Sequence, residues 1–437
     1  MRRFGSLLSS PSVISCAALL LRLVYLFLFF HDQPVPSGNR YLIGYETGSI
    51  AASLASGHGY GSPLYVPSGP TAWITPVYPF LLAGVFKVFG AYTFSASVAI
   101  RSINAIFSSL TCYPLFFLGK RLFGNSVGIT AAWLWAVLPA AVFFPIVWVW
   151  DTSLSALLLI TCLSATYAMD GRDGVRTWSL FGAFWGFSIL VNAAILSVLP
   201  GCFLFAMSRA RRRGASYLKL ASVAAAFLAI TISPWVIRNL IVFHGQVALR
   251  SNFGLELWLG NNPEVPITAS PWLHPNDAAK EKQEFLRLGE VAYMREKRSE
   301  AIHFIATHPA DTLRFQYHRL MLTWTGFEDS LADVWPTAKP MLRAELALNY
   351  ALPLLMLFGL LLAHRNFQLL SLPLLNVVVF FPAVYYICHT NARYRHPIDT
   401  VMVVLSAYSI VWLVRALRGR TVLWRPFKRR PEAISEV

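Results

Sequence analysis

Residues 12–31 read S-V-I-S-C-A-A-L-L-L-R-L-V-Y-L-F-L-F-F-H, an apolar run in which Arg22 is the only fixed charge. A helix of about twenty apolar residues covers the roughly 30 Å of hydrocarbon in a bilayer, so this stretch predicts a membrane-spanning helix. Met-Arg-Arg before it invites comparison with a secretory leader. The length of the run, its interruption by Arg22 and the lack of a small-x-small cleavage pattern before Asp32 predict instead that the helix is retained.

The pattern recurs along the chain. Apolar windows predict about ten crossings, near 12–31, 94–118, 126–148, 152–169, 178–191, 194–208, 218–237, 346–363, 367–388 and 398–416. None alternates like a barrel strand, and backbone groups in lipid must be bonded within the segment, so the spans are helices. The whole chain agrees: of 437 residues 56% are hydrophobic and 13% charged, with a mean hydropathy of +0.53. That balance excludes a disordered chain and a water-soluble globule, which would need more charge to coat its surface. The expected fold class is an all-α polytopic membrane protein.

The 37 basic and 21 acidic residues leave a net charge of +16. With the N-terminus cytoplasmic, the inner segments hold Arg2, Arg3, Lys120, Arg121, Arg172, Arg176, the run Arg209 to Arg213 with Lys219, Arg365 and a basic tail. Nearly the whole excess therefore falls on one side, as the positive-inside rule expects of a multi-pass protein in the cell (inner) membrane. Scattered among short loops, these charges form no continuous groove for nucleic acid. The five cysteines, Cys16, Cys112, Cys162, Cys202 and Cys388, lie within spans at unrelated spacings and read as packing residues.

Two segments stand outside the spans on the outer side, which faces the periplasm or exterior. The first, 32–93, contains G-Y-E-T-G-S-I-A-A-S-L-A-S-G-H-G-Y at 44–60, whose 46–56 portion predicts a short interfacial helix ended by Gly57 and Gly59. After Pro76 and Pro79 comes an aromatic stretch reaching Phe89, too short to span and suited to the headgroup zone. The second segment, 239–345, carries most of the remaining acids and amphipathic helical stretches such as 277–308. The chain thus divides into a membrane module at 1–238, an outer module at 239–345, further spans at 346–416 and a basic cytoplasmic tail at 417–437.

Glu46 is the only acid between Asp32 and Asp151, and it opens the first interfacial helix, where the helix dipole favours a carboxylate. Further motifs follow in order: P-W-V-I-R-N at 234–239, G-L-E-L-W-L-G-N-N-P at 254–263 and A-R-Y-R-H-P-I-D at 392–399. This series resembles the GT-C superfamily of membrane glycosyltransferases, in particular the family 39-like enzymes related to protein O-mannosyltransferases and lipid A aminoarabinose transferases.

The resemblance implies a GT-C-type bundle with juxtamembrane helices in its first outer loop and a small outer α-rich module. It also implies transfer of a sugar from a polyprenyl-phosphate carrier to a lipid, glycan or protein acceptor on the outer face, with inversion at the anomeric carbon. Such chemistry needs a carboxylate for the acceptor hydroxyl and cations, or a metal, for the departing phosphate. Glu46 is the candidate base, and Asp151, where relatives carry a second acid, the candidate assistant. Either is a candidate ligand for a divalent cation, and metal dependence stays open. Relatives place an acid one helical turn before Glu46, where Ile43 stands here, and a lysine before the Pro-rich helix, where Thr75 stands here.

Arg238, Arg393 and Arg395 are therefore the candidates for the donor phosphate, since guanidinium groups pair bidentately with its oxygens. Each site residue also has a plainer reading: a helix-end charge for Glu46, a helix cap for Asp151 and interfacial snorkelling for the arginines. A transporter or flippase of lipid-linked sugars is the alternative function. The sequence lacks the internal repeat and concentrated intramembrane charges expected of one.

Overall fold

The computed structural model describes residues 8–32, 40, 42–327, 335 and 339–419. Arg2, Arg3 and nearly all of the expected basic tail lie outside the described residues. Among those described the chain is helical, with no strand and one isolated antiparallel bridge between Gly61 and Pro70.

Helix α1 spans Pro11–Asp32, and the first outer loop carries α2 (Tyr45–Ala55) and α3 (Val77–Phe89). The bundle continues with α4 (Phe94–Leu110), α5 (Cys112–Phe123), α6 (Asn125–Val137), α7 (Pro139–Val147), α8 (Thr152–Ala168) and α9 (Val175–Val191). A 3₁₀ turn at Ala193–Val198 leads into α10 (Leu199–Arg212) and α11 (Tyr217–Val242). Outside the bundle lie α12 (Phe253–Gly260), a 3₁₀ turn at Pro271–Leu273, α13 (Ala279–Leu288), α14 (Glu290–Thr307) and α15 (Pro309–Thr325). The chain returns through α16 (Pro340–Phe380), α17 (Ala383–Ile387) and α18 (Ala392–Leu417).

Among the described residues six helical stretches are long and apolar enough to cross a membrane, seven if α6 and α7, bent by 45° at the Leu138–Pro139 junction, count as one span. The expected ten crossings all fall on helices, and the lower count has two physical causes. Helices α8 and α9 have 17 residues each, about 25 Å of helix and slightly less than the hydrocarbon thickness. The crossings expected at 346–363 and 367–388 share one 46-residue stretch, Leu342–Ile387. At about 70 Å it exceeds twice the bilayer core, and Phe367, at φ −145° and ψ 45°, divides it. The protein is a multi-pass membrane protein.

Lipid explains a surface that water would not. Phe27, Leu204, Ile230 and Leu361 are exposed, and only 17% of the most apolar window in α11 is buried; such faces are stable against hydrocarbon. Inside, close approach replaces bulk. A Cβ on Gly182 of α9 would lie 1.9 Å from the Ala224 carbonyl oxygen of α11, so glycine there lets the two backbones touch. Cys112, Cys162, Cys202 and Cys388 are buried and Cys16 is exposed, all unbridged.

The buried charges in the bundle brace it. Arg22 donates to Ser108 Oγ and to the carbonyls of Ala18, Ala136 and Trp135. Arg101 donates to the carbonyls of Ile146 and Leu42 and to Ser97 Oγ. Each guanidinium thereby replaces its lost hydration with protein oxygen atoms and ties distant elements together.

The module outside the bundle has its own core, in which Leu255, Leu257 and Leu259 of α12 meet Phe285, Tyr293 and Met294. Leu64 and Trp73 of the first outer loop join that core. Glu290 strengthens the junction by accepting from Thr71 Oγ1 and from the Ala72 N–H at 2.8 Å.

Candidate active site

Helix α2 begins abruptly because Gly44, at φ 91°, turns the chain where side chains are disfavoured. The turn sets Glu46 in the first helical turn, largely buried, with Oε1 3.2 Å from His274 Nε2. His274 Nδ1 accepts the Asn276 N–H at 3.1 Å and lies 3.0 Å from the Tyr45 hydroxyl, which leaves Nε2 facing Glu46. Tyr45 donates to Asp277 Oδ2 at 2.6 Å. Burial, reinforced by Glu46 and the bond to Asp277, pushes the Tyr45 phenol far above its ordinary value and keeps it a donor.

Asp151 stands where α8 begins but does not cap it through its side chain. Its Oδ2 instead accepts from Ser155 Oγ at 2.8 Å and Asn192 Nδ2 at 2.9 Å. Burial raises its pKa, while Ser155, Arg250, Asn192 and Arg393 oppose that rise. The Arg393 guanidinium carbon lies 3.9 Å from the centroid of the Trp150 ring. It is within electrostatic reach of Glu46 and Glu256 as well as Asp151. Glu46, Asp151 and Arg393 thus come from three distant segments to one place at the end of the bundle beneath α12.

Arg238 and Arg395 are occupied differently. Arg238 donates to the carbonyls of Thr71 and Tyr60 and to Asn239 Oδ1, fastening the first outer loop to α11. Arg395 is buried, with Nε 2.9 Å from Asp399 Oδ1 and its other nitrogens bonded to the Trp324 carbonyl and Asn349 Oδ1. Thr75, standing where relatives carry lysine, donates to the Val191 carbonyl at 2.8 Å.

Four further residues belong to the constellation. Arg250 is exposed, donates through Nε to the Trp73 carbonyl at 3.0 Å, and lies within electrostatic reach of Asp151 and Glu256. Glu256 accepts from Asn252 at 2.6 Å and sits 2.6 Å from His389 Nε2. His274 completes the set. Glu256 lies inside the G-L-E-L-W-L-G motif and His389 just before A-R-Y-R-H, but Arg250 and His274 carry no local sequence signal.

Burial alone would raise the Glu256 carboxyl; His389, by charge and hydrogen bond, with Arg250 and His274, outweighs it and holds the group at about 2. The carboxyl is thus more acidic in the folded chain than its ordinary value of 4.5. Its stabilisation is complete above roughly pH 5 and fades as pH falls towards 2. Glu256→Gln is expected to flatten that acid limb by roughly 1–3 kcal/mol, read as a smaller difference in unfolding midpoint between pH 6 and pH 3. An acid limb identical to the parent's would show the pairing to be inert.

Among the described residues no group of three or more His, Cys, Asp or Glu side chains is arranged to hold a metal ion. Glu46 has one such neighbour, His274, and Asp151 Oδ2 is committed to Ser155 and Asn192. The folded donor set does not assemble a metal site around the two candidate ligands.

Residues 70–237 match the family model for dolichyl-phosphate-mannose-protein mannosyltransferase. The oligosaccharyltransferase of Archaeoglobus fulgidus, solved with zinc and sulfate, aligns with a TM-score of 0.56 at 18% identity, over 93% of this chain and 50% of that one. The same archaeal enzyme, AglB, solved with an inhibitory peptide and a dolichol-phosphate, aligns with a TM-score of 0.55 at 18% identity, over 96% of this chain and 52% of that one. ArnT from Cupriavidus metallidurans bound to undecaprenyl phosphate gives a TM-score of 0.37 at 14% identity, over 92% and 77% of the two chains, too distant to bear on the fold. No curated protein sequence matches the chain. The chain spans about half the length of the oligosaccharyltransferase structures it matches. The segment from the first outer loop through most of α11 thus matches the dolichyl-phosphate-mannose-protein mannosyltransferase family model, and the helical fold is similar to that of the archaeal oligosaccharyltransferase over nearly the whole chain.

Proposed function

We propose that the chain is a membrane glycosyltransferase that moves a sugar from a polyprenyl-phosphate carrier to an envelope lipid, glycan or protein acceptor at the outer face of the cell membrane. The observation that carries this reading is the meeting of Glu46 and Asp151 with the cations Arg393 and Arg250 at one end of the bundle. The archaeal relative solved with a dolichol-phosphate supports a polyprenyl-phosphate donor.

In this reading Glu46 takes the proton of the acceptor hydroxyl as the acceptor oxygen bonds to the anomeric carbon. The bond from that carbon to the phosphate oxygen breaks on the opposite face, so the configuration inverts. The electron pair leaves with polyprenyl phosphate, whose charge Arg393 and Arg250 stabilise. Cations already held in place, Arg393 against Trp150 and Arg250 on the Trp73 carbonyl, need little reorganisation as that charge develops. Asp151, through Asn192 and Ser155, orients the floor of the site. Arg238 and Arg395 act at a remove, by fixing the first outer loop and the start of α18.

Mass spectrometry of lipid-linked sugars and envelope glycans, in cells with and without the gene, tests the reading. Loss of the gene is expected to accumulate one polyprenyl-phosphate sugar and remove the matching sugar from an envelope component. Unchanged glycans, or a carrier that merely changes membrane side without losing its sugar, would overturn it, the second outcome in favour of a flippase.

A further inference from the structure

A groove of about 620 Å³ opens between α5 and α8 at the end of the bundle away from the candidate site. Asp151 marks the near end of α8, and Thr161 to Ala168, which line the groove, are roughly 15–25 Å further along that helix. Thr161, Ser164, Ala165 and Ala168 recur on one helical face, so α8 presents only small side chains there. The opposite wall is Phe117 and Leu118 of α5, with Lys120 and Arg121 at the lip.

The charge around the lip is unbalanced. Asp170 is held by Arg209 and Arg213, each at 2.5 Å, and Asp173 by Arg213 at 2.5 Å. Arg121 lies within electrostatic reach of Asp170 and Arg172, and Lys120 is exposed. Two carboxylates are thus outnumbered by Lys120, Arg121, Arg172, Arg209 and Arg213. The result is an apolar slot, open to the bilayer, with a positive rim at the membrane surface. A slot of several hundred cubic ångströms is of ligand size, and basic pockets between helices attract acidic headgroups.

We propose that this groove is a binding site for an anionic glycerophospholipid, with acyl chain against Phe117, Leu118 and the small face of α8 and phosphate at Lys120 and Arg121. By the positive rim, the lipid comes from the leaflet opposite the one that faces the transfer site. The inference does not depend on the proposed activity, because neither α5 nor the groove-lining half of α8 contributes a residue to that site.

The full chain, purified into nanodiscs of phosphatidylcholine containing phosphatidylglycerol, tests the site by native mass spectrometry of retained lipids. Phosphatidylglycerol is expected to be retained in preference to phosphatidylcholine. Lys120→Glu, which reverses one exposed charge, is expected to weaken that retention about tenfold or more. Ala165→Leu, which fills the slot without changing charge, is expected to weaken it as well. Equal retention of the two lipids, preferred retention of undecaprenyl phosphate at the same site, or unchanged retention in both variants would overturn the proposal.

Discussion

Replacing Glu46 with glutamine is expected to lower sugar transfer by about 10²–10⁴-fold, the usual contribution of a positioned general base. The substitution keeps the shape of the side chain and its place in the first turn of α2, and Ile50 and Ala51, which anchor that helix, are untouched. What it removes is the site for the acceptor proton. His274 Nε2 then faces an amide, which takes up no proton. Transfer measured on purified protein, alongside binding of the polyprenyl-phosphate sugar, separates the two contributions: the rate falls and donor binding stays within a few-fold. Unchanged transfer would move the base elsewhere, with Asp151 the next residue to test.

A second large effect is expected at the buried pair that opens α18. Asp399→Ala should cost about 3–5 kcal/mol of stability, because removing one partner of a buried ion pair strands the other. Asp399 Oδ1 is 2.9 Å from Arg395 Nε and Oδ2 is 3.2 Å from His396 Nδ1, with side chains 3%, 7% and 0% exposed respectively. Arg395 keeps the Trp324 carbonyl and Asn349, but loses its carboxylate. Thermal unfolding of the detergent-solubilised chain measures the loss, and Arg395→Met with Asp399→Leu is expected to recover most of it, since an apolar pair replaces a charged one at little cost. A loss under about 1 kcal/mol in the single variant would mean that water or lipid headgroups reach the pair.

The fold was legible in the sequence because lipid imposes one rule on every span: length, apolarity and internal hydrogen bonding coincide. That rule located even the two crossings folded into one long helical stretch, and the polar His364, Arg365 and Asn366 between them stand directly before the divide at Phe367. The candidate site's residues were legible in part. Glu46 and Asp151 stood out because acids are rare there, and Arg393 because it opens a span.

Arg395 looked equivalent to Arg393 in the A-R-Y-R-H motif, yet two residues on a helix point about 200° apart, so one faces the site and the other the bundle. Arg250 and His274 were invisible for a different reason. Their positions depend on where an outer segment folds back, through the bond of Arg250 to Trp73 and the contacts of His274 with Glu46 and Tyr45, and nothing in their own neighbourhood encodes that return.

Arg319 donates to the carbonyls of Gly260, Thr268, Tyr386 and Ile387, so one guanidinium joins the end of α12, the loop beyond it and the approach to α18. A Cβ on Gly260 would lie 1.7 Å from the Cys388 carbonyl oxygen, which leaves that joint no slack. Glu256 sits four residues before Gly260, and Arg393 five after Cys388. The span between acid and cation is therefore set like the jaws of a fixed wrench, by a fastener that never meets the workpiece.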